Sequence, residues 1–468
     1  MFVRYVRLLH NQLYYNKVYA VDAENIPEKS PLIIVSNHQN SMCDPLALLL
    51  SIRVRQERKL KVITRASVFQ NPVSNRIMRW LGLLPAYRLS IDGDASFSNN
   101  NDTFREVEDE LLQNGTVIIF PEGRHQDKHW LGKFSGGYLR MAFSAAEKSD
   151  FEKEIFILPT CNHYSNYFNA REDMLIKFGE PISLSPYYEL YKTKPRTAQR
   201  QVNALVRHRV ANLMLNIEDL ENYEAIEFLR TTYGVKYAKD NGSDPNNLPE
   251  KLLSDQALIS QLRFIKERAD NFLQELYAKI LQLKKEEEKL HIQDEDFDKD
   301  TAPWKIVAQG VLYLALLPLF LVSFAANILI LGVPKIFTSK IKDKMFKSTI
   351  KLLISVITVP VTCFLIFIMA HYFSHSNFIS LICMLGVSLL SIFVLYYRRG
   401  YLAWKYQVQF LRLNGKGKLS DLFIFRNDIY DSLNNVLHVD AQNRMFAQEN
   451  IINEWELDKV TISMYNRM

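Results

Sequence analysis

Cysteine is scarce in this chain of 468 residues, and glycine and proline are little more frequent, with four, sixteen and sixteen positions. Cys43, Cys161, Cys363 and Cys383 form no CxxC pair, and two of them lie in apolar runs, which excludes a disulfide scaffold and fits a reducing compartment. So little glycine and proline beside 48% hydrophobic residues excludes a disordered or fibrous protein. The chain also lacks an arginine-rich arm or a patch of interleaved basic and aromatic residues, so a nucleic-acid groove is not expected. Its net charge of +6 suits a membrane surface or phosphorylated substrates better. Nor does the N-terminus hold the h-region of a signal peptide, because Arg4 and Arg7 break the apolar run. Val3, Val6, Leu9 and Leu13 instead share one helical face, that of either a membrane-interface helix or a core-packing first helix. There is no internal repeat, and Asn414 to Lys418 (NGKGK) lacks P-loop spacing and reads as a turn.

Two segments carry chemistry. Pro31 to Asp44 (PLIIVSNHQNSMCD) puts an Asn, a His and an Asp just beyond an apolar run, where a strand delivers polar side chains to the rim of a sheet. Thr116 to Phe120 (TVIIF) reads as a second buried strand, and Pro121-Glu122-Gly123-Arg124 turns sharply away from it.

With these residues the chain resembles the glycerolipid acyltransferase superfamily, whose members carry a His-x4-Asp motif and a later Phe-Pro-Glu-Gly motif. The resemblance runs from about Val6 to Ile182 and includes Gly82 to Arg88 (GLLPAYR), similar to the family's Gly-x-x-Pro-x-x-Arg segment, and Ile157 to Thr160 (ILPT), similar to its fourth block. One departure stands out: five residues, not four, separate His38 from Asp44. An added residue turns a helical side chain by roughly 100°, so either the loop absorbs it or the two side chains do not meet in the usual way. This spacing, Phe120 to Asp127 and Leu175 to Ile182 (LIKFGEPI) all look like the branch that acylates glycerol 3-phosphate and dihydroxyacetone phosphate.

Moving an acyl group from a thioester to an alcohol needs a base for the hydroxyl proton and donors for the oxyanion. His38 is the base available, and Asp44 would fix its tautomer. The resemblance implies direct attack in a ternary complex, with no acyl-enzyme and no cofactor beyond the donor, acyl-CoA or acyl carrier protein. Arg88 is the first candidate for the acceptor phosphate and Arg124, which follows Glu122 by two positions where many members have three, is the second. Glu122 would hold an acceptor hydroxyl or one of these guanidinium groups, and Gly123 belongs to the same substrate-binding turn. Asn37 either orients the His38 loop or caps a helix. Cys43 as a nucleophile is unneeded. His125, Asp127, His129 and His163 match neither HExxH nor a zinc-finger spacing, so no catalytic metal is expected. Thr160 to Tyr164 is read as shaping a substrate pocket.

The expected fold is α/β, a mixed central sheet flanked by helices over residues 1–190, with strands near 32–35, 60–64, 116–120, 155–158 and 174–178 and helices over 103–113 and 136–148. A helical subdomain over 191–300 follows, with Leu276, Ile280, Leu283 and Leu290 on one seam and an acidic, solvated linker at Asp294 to Asp300. A membrane region is expected over 301–400 and a soluble segment over 401–468. Lys305 and Lys335 bracket 29 uncharged residues, too long for one span and too short for two, interrupted by Pro318 and Asn327. Residues 306–334 are therefore read as a re-entrant element, with spans at 352–370 and 377–397 joined by a His371 to Ser376 turn. Six lysines between Lys335 and Lys351, and Arg398-Arg399 after the last span, put those flanks and the catalytic domain on the cytoplasmic face. Two alternatives to glycerol 3-phosphate acylation remain. One is acylation of 1-acylglycerol 3-phosphate; the other is a catalytically silent lipid-transfer or membrane scaffold protein, which separation of His38 from Asp44 would favour.

Overall fold

In the computed structural model, residues 2–56, 60–87, 95–125, 127–299, 302–341 and 344–437 are described. They form two compact units. The first comprises Met1–Glu218, Ser243–Gln256 and Ala315–Arg399, and the second Asp219–Gly242, Ala257–Leu314 and Gly400–Met468.

The first unit is built on a mixed eight-stranded sheet. Its strands are β1 (Val18–Val21), β2 (Leu32–Ser36), β3 (Leu60–Arg65), β4 (Leu83–Ala86), β5 (Thr116–Ile119), β6 (Phe156–Tyr164), β7 (Met174–Phe178) and β8 (Ile182–Ser183). The spatial order is β1, β7, β6, β2, β5, β3, β4, with β8 beside β6. The five strands expected from apolar runs are present; the short β1, β4 and β8 are additional, β1 and β8 being partly exposed. β2 and β5 bury every residue, as central strands covered on both faces must. Their side chains alternate between two cores. Ile33, Val35, Val117 and Ile119 point to one, which α4 (Ala95–Leu112), α5 (Gly137–Lys148) and α7 (Pro195–Leu213) close with Val107, Phe143 and Val206. Leu32, Ile34 and Ile118 point to the other, shared with Leu9, Tyr14, Leu48 and Leu352.

β2, β5 and the first half of β6 run parallel, with Ser36 opposite Thr160, so their C-terminal ends share one rim. β6 outlasts its expected end: Thr160 to Tyr164 pairs antiparallel with β7. α1 (Phe2–Leu8) continues into a wider π-type turn over Leu9–Tyr14, and Val6, Leu9 and Tyr14 are buried.

Of the two expected interruptions in the 29-residue run, only Asn327 breaks the chain. Pro318 lies inside α11 (Pro303–Ala326), and α12 (Ile328–Ser339) begins after Asn327, whose side-chain amide donates to the carbonyls of Ser323 and Val387 at 3.0 and 3.2 Å. α13 (Lys344–Ser374) and α14 (Asn377–Asn414) follow, separated by a turn. Among the described residues, Pro303–Ala326, Phe346–Ser374 and Asn377–Asn414 are long and apolar enough to cross a membrane.

In the second unit, Leu276, Ile280 and Leu283 are buried on one face of α10 (Leu248–Leu290), as their spacing predicts. The acidic segment does not behave as the expected solvated linker. Asp294 and Asp296 are buried, and Arg426, in a helix over residues 420–437, bonds Asp294 at 2.7 and 3.0 Å and Asp298 at 3.1 and 2.6 Å. A run of carboxylates reads as solvated until a cation from a distant helix neutralises it.

Candidate active site

His38 sits two residues beyond the end of β2, at the rim shared with β5 and β6. The loop absorbs the additional residue before Asp44. The Cys43 amide bonds the Asn40 carbonyl at 2.9 Å, and Ser41 takes the left-handed conformation at φ 45°, which costs a non-glycine residue about 1–2 kcal/mol. The turn brings Asp44, in the first turn of α2 (Cys43–Gln56), back toward His38.

Asp44 is fully buried and both of its oxygens are engaged. Oδ2 lies 2.9 Å from His38 Nδ1 and accepts the amides of Gln39 and Asn40 at 2.8 Å each; Oδ1 accepts the Tyr164 hydroxyl at 2.6 Å. Burial, with the Asp44 charge adding to it, pushes the Tyr164 phenol well above its usual range, so Tyr164 remains a donor. The His38 side chain is 19% exposed, against the Phe120 ring at a centroid distance of 4.6 Å. With Nδ1 bonded to Asp44, Nε2 is the nitrogen left to exchange a proton with a substrate.

Two other motif residues hold this loop. The Asn37 side chain accepts the Asn162 amide at 2.8 Å and donates to the Asn162 carbonyl at 3.0 Å, prolonging the β2 to β6 ladder with a side chain. It therefore orients the loop and does not cap a helix. The carboxylate of Glu122 accepts the His38 amide through Oε1 at 3.0 Å and the Gly132 amide through Oε2 at 2.9 Å. Among the described residues its bonds go to backbone amides; Arg88, one of the two guanidinium partners expected for it, lies outside those residues. Burial raises its carboxyl above the usual range, and the two amides pull against that shift. Pro121 and Gly123 shape the turn: the Gly123 amide bonds the Phe120 carbonyl at 3.1 Å, and Gly123 itself has φ 70°, where a side chain would be strained.

Arg124 is exposed at this rim, and Arg88 lies outside the described residues. Cys43 is turned away from His38 into the core, with Sγ 3.6 Å from Thr349 Oγ1, and burial pushes its thiol up to about 11. His129 and His163 rings lie 5.6 Å apart beneath Tyr167, which donates to Gln39 at 2.7 Å, whereas Asp127 is exposed. Among the described residues no three His, Cys, Asp or Glu side chains are grouped to hold a metal ion.

The reading of the sequence missed Gln39, Gly132 and Tyr167 altogether. It singled out Thr160 to Tyr164 as a pocket-shaping block, but here Asn162 and Tyr164 brace the His38 loop. It also missed a contribution from α13, whose first turns adjoin the site. The Phe346 and His125 rings lie 5.2 Å apart and those of His125 and His38 5.9 Å apart, and Ser348 Oγ meets the Tyr14 hydroxyl at 2.8 Å.

Residues 17–162 match the family model described as Acyltransferase, which covers β2, β5 and the rim between them. The chain is 20% identical over 289 residues to an uncharacterized acyltransferase of Schizosaccharomyces pombe, a match spanning 44% of this chain and 43% of that protein, so it covers less than half the relative's length. Among solved structures it is similar to the 1-acyl-sn-glycerophosphate (LPA) acyltransferase PlsC of Thermotoga maritima, at 18% identity and a TM-score of 0.32 over 45% of this chain and 78% of that one.

Proposed function

We propose that this chain is a membrane-bound O-acyltransferase that moves a fatty acyl group from acyl-CoA or acyl carrier protein to glycerol 3-phosphate, or to dihydroxyacetone phosphate, at the cytoplasmic face of a membrane. The observation that carries the reading is the 2.9 Å contact between His38 Nδ1 and a fully buried Asp44, with the ring still partly open at the rim. Nε2 removes the proton of the acceptor hydroxyl as its oxygen attacks the thioester carbonyl. When the tetrahedral adduct collapses, the carbon–sulfur bond breaks and the same proton passes to the leaving thiolate, so His38 ends neutral. Asp44 holds the imidazole in the productive tautomer and offsets its transient charge. Glu122 and Asn37 act through the backbone of the loop, as positioning residues. Arg88 and Arg124 are the proposed grip on the acceptor phosphate.

A second reading, 1-acylglycerol 3-phosphate as acceptor, is favoured by Phe346, in the first turn of the apolar helix α13 and only one ring removed from His38 through His125. The scaffold reading loses its main support, since it needed the His and Asp apart. The test is acyl transfer by membranes holding the protein, with labelled acyl-CoA or acyl carrier protein and each of the three acceptors in turn. Glycerol 3-phosphate or dihydroxyacetone phosphate is expected to be acylated. Exclusive use of the monoacyl acceptor would shift the conclusion to the second reading, and no transfer to any acceptor would leave the scaffold.

A further inference from the structure

The helix α3 (Pro72–Trp80) lies between β3 and β4 in the chain. It is a well-formed helix: the Asn71 side chain accepts the Val73 amide at 2.9 Å, and Pro72 occupies the first turn. Yet none of its nine residues is fully buried. Met78 packs inward, while Val73, Ile77 and Trp80 are 67%, 47% and 69% exposed. Spaced i, i+4 and i+7, these three fall within about 60° of one another around the axis, so they make one apolar stripe and are not scattered surface residues.

The charge around the stripe says what covers it. In sequence, no Asp or Glu occurs between Glu57 and Asp92, while Lys61, Arg65, Arg76 and Arg79 are basic residues of that interval among those described. Arg76 is exposed beside the stripe, and Arg79 is held at 2.8 Å by Glu106 with both side chains partly open to water. A second observation concerns the side of the sheet. Met78 and Leu81 pack into the same core cluster as Leu352, Val356 and Val359 of α13, so the stripe belongs to the sheet face from which the apolar span departs.

We infer that α3 is an interfacial helix that seats the first unit on an anionic bilayer. Val73, Ile77 and Trp80 enter the boundary between headgroups and acyl chains, and Arg76 and Arg79 lie among the headgroup phosphates. An apolar stripe flanked by cations and ending in tryptophan is the composition such a site requires. With α13, it gives the catalytic rim two points of attachment, one spanning and one superficial. Acyl transfer is a separate matter from this seating.

The test uses the full chain in lipid nanodiscs, with Cys363 and Cys383 replaced by serine; Cys43 and Cys161 are fully buried. A nitroxide is attached at Ile77→Cys and, for reference, at Arg105→Cys, an exposed position on α4 at the opposite sheet face. Collision with oxygen and with a water-soluble nickel chelate is then measured. At residue 77 oxygen contact should dominate, and at residue 105 nickel contact. Equal nickel contact at both positions would overturn the inference, and so would shielding of residue 77 from both reagents, the mark of a protein partner or a second copy. Arg76→Glu should move the residue 77 label outward in nanodiscs containing phosphatidylserine and not in phosphatidylcholine alone; a shift that ignores lipid charge would overturn the headgroup contact. The depth reading needs no turnover, so it stands whichever acceptor the site uses.

Discussion

Asp44 in the first unit and Asp294 in the second are both buried carboxylates with both oxygens bonded, but their partners differ in kind. Asp44 is met by two backbone amides, a tyrosine hydroxyl and an imidazole. Asp294 is met by a tyrosine hydroxyl and the two-pronged guanidinium of Arg426. Arginine keeps its charge at every accessible pH, so the Asp294 pair is permanently neutralised and serves to hold helices together. An imidazole can take up and release a proton within one reaction, so in the proposed transfer the cation beside Asp44 is transient. A buried carboxylate whose only cation is intermittent suits a reaction in which that cation forms and disappears. One whose cation is permanent suits architecture.

The sharpest way to break this comparison is His38→Ala, which should reduce acyl transfer about 10²–10⁴-fold while leaving thermal unfolding close to that of the parent, since the ring is partly exposed. Transfer within threefold of the parent would end the comparison. Asp44→Asn should lower kcat nearly as far with little change in KM for either substrate, because a neutral amide cannot offset the charge that forms on the imidazole; equal loss through KM would instead indicate a merely structural carboxylate. In the second unit, Arg426→Met strands the Asp294 charge and should cost about 3–5 kcal/mol of stability, read as a fall in the urea midpoint, with kcat per folded molecule unchanged. Adding Asp294→Leu should recover part of that loss. A further prediction concerns pH. Burial and the neighbouring Asp294 push the Glu287 carboxyl up to about 8. A carboxyl raised on folding is protonated in the native state while the unfolded chain is already ionised, so the parent should lose stability as pH rises from about 4.5 toward 8 and level off above that. Glu287→Gln should flatten this slope in thermal scans, and an unchanged slope would assign it to another group.

Much of the first unit was legible because its central strands are uninterrupted apolar runs ending in polar motifs, and the contrast with what was not legible is instructive. Val18–Val21 and Leu83–Ala86 are only four residues long and β1 is only half-covered, so their apolar signal never rises above that of a loop. His38, Asp44, Asn37, Glu122 and Gly123 could be chosen from their motifs, but their contacts could not. Whether a longer loop still joins His38 to Asp44 depends on the backbone angle at Ser41, which spacing does not encode. Glu122 was expected to hold an acceptor hydroxyl or a guanidinium; its bonds to the amides of His38 and Gly132 could not be anticipated, because backbone amides carry no signature of residue type. Tyr164 reaches Asp44 across 120 positions, and Arg426 reaches Asp294 across 132. Contacts of that range become visible only once the strands and helices are in place.

The first turns of α13 lend Ser348 to Tyr14, Thr349 to Cys43 and Leu352 to the core beneath the His38 loop. Sequence composition invites excision of the first 300 residues as a free-standing enzyme, but that cut would not pass through a linker. It would empty the socket of Leu352 and leave the Tyr14 hydroxyl facing apolar side chains with its acceptor gone, directly behind the loop that carries the histidine. The apolar helices are thus more than a tether that can be severed for convenience: the first turns of one of them are masonry in the wall behind the His38 loop.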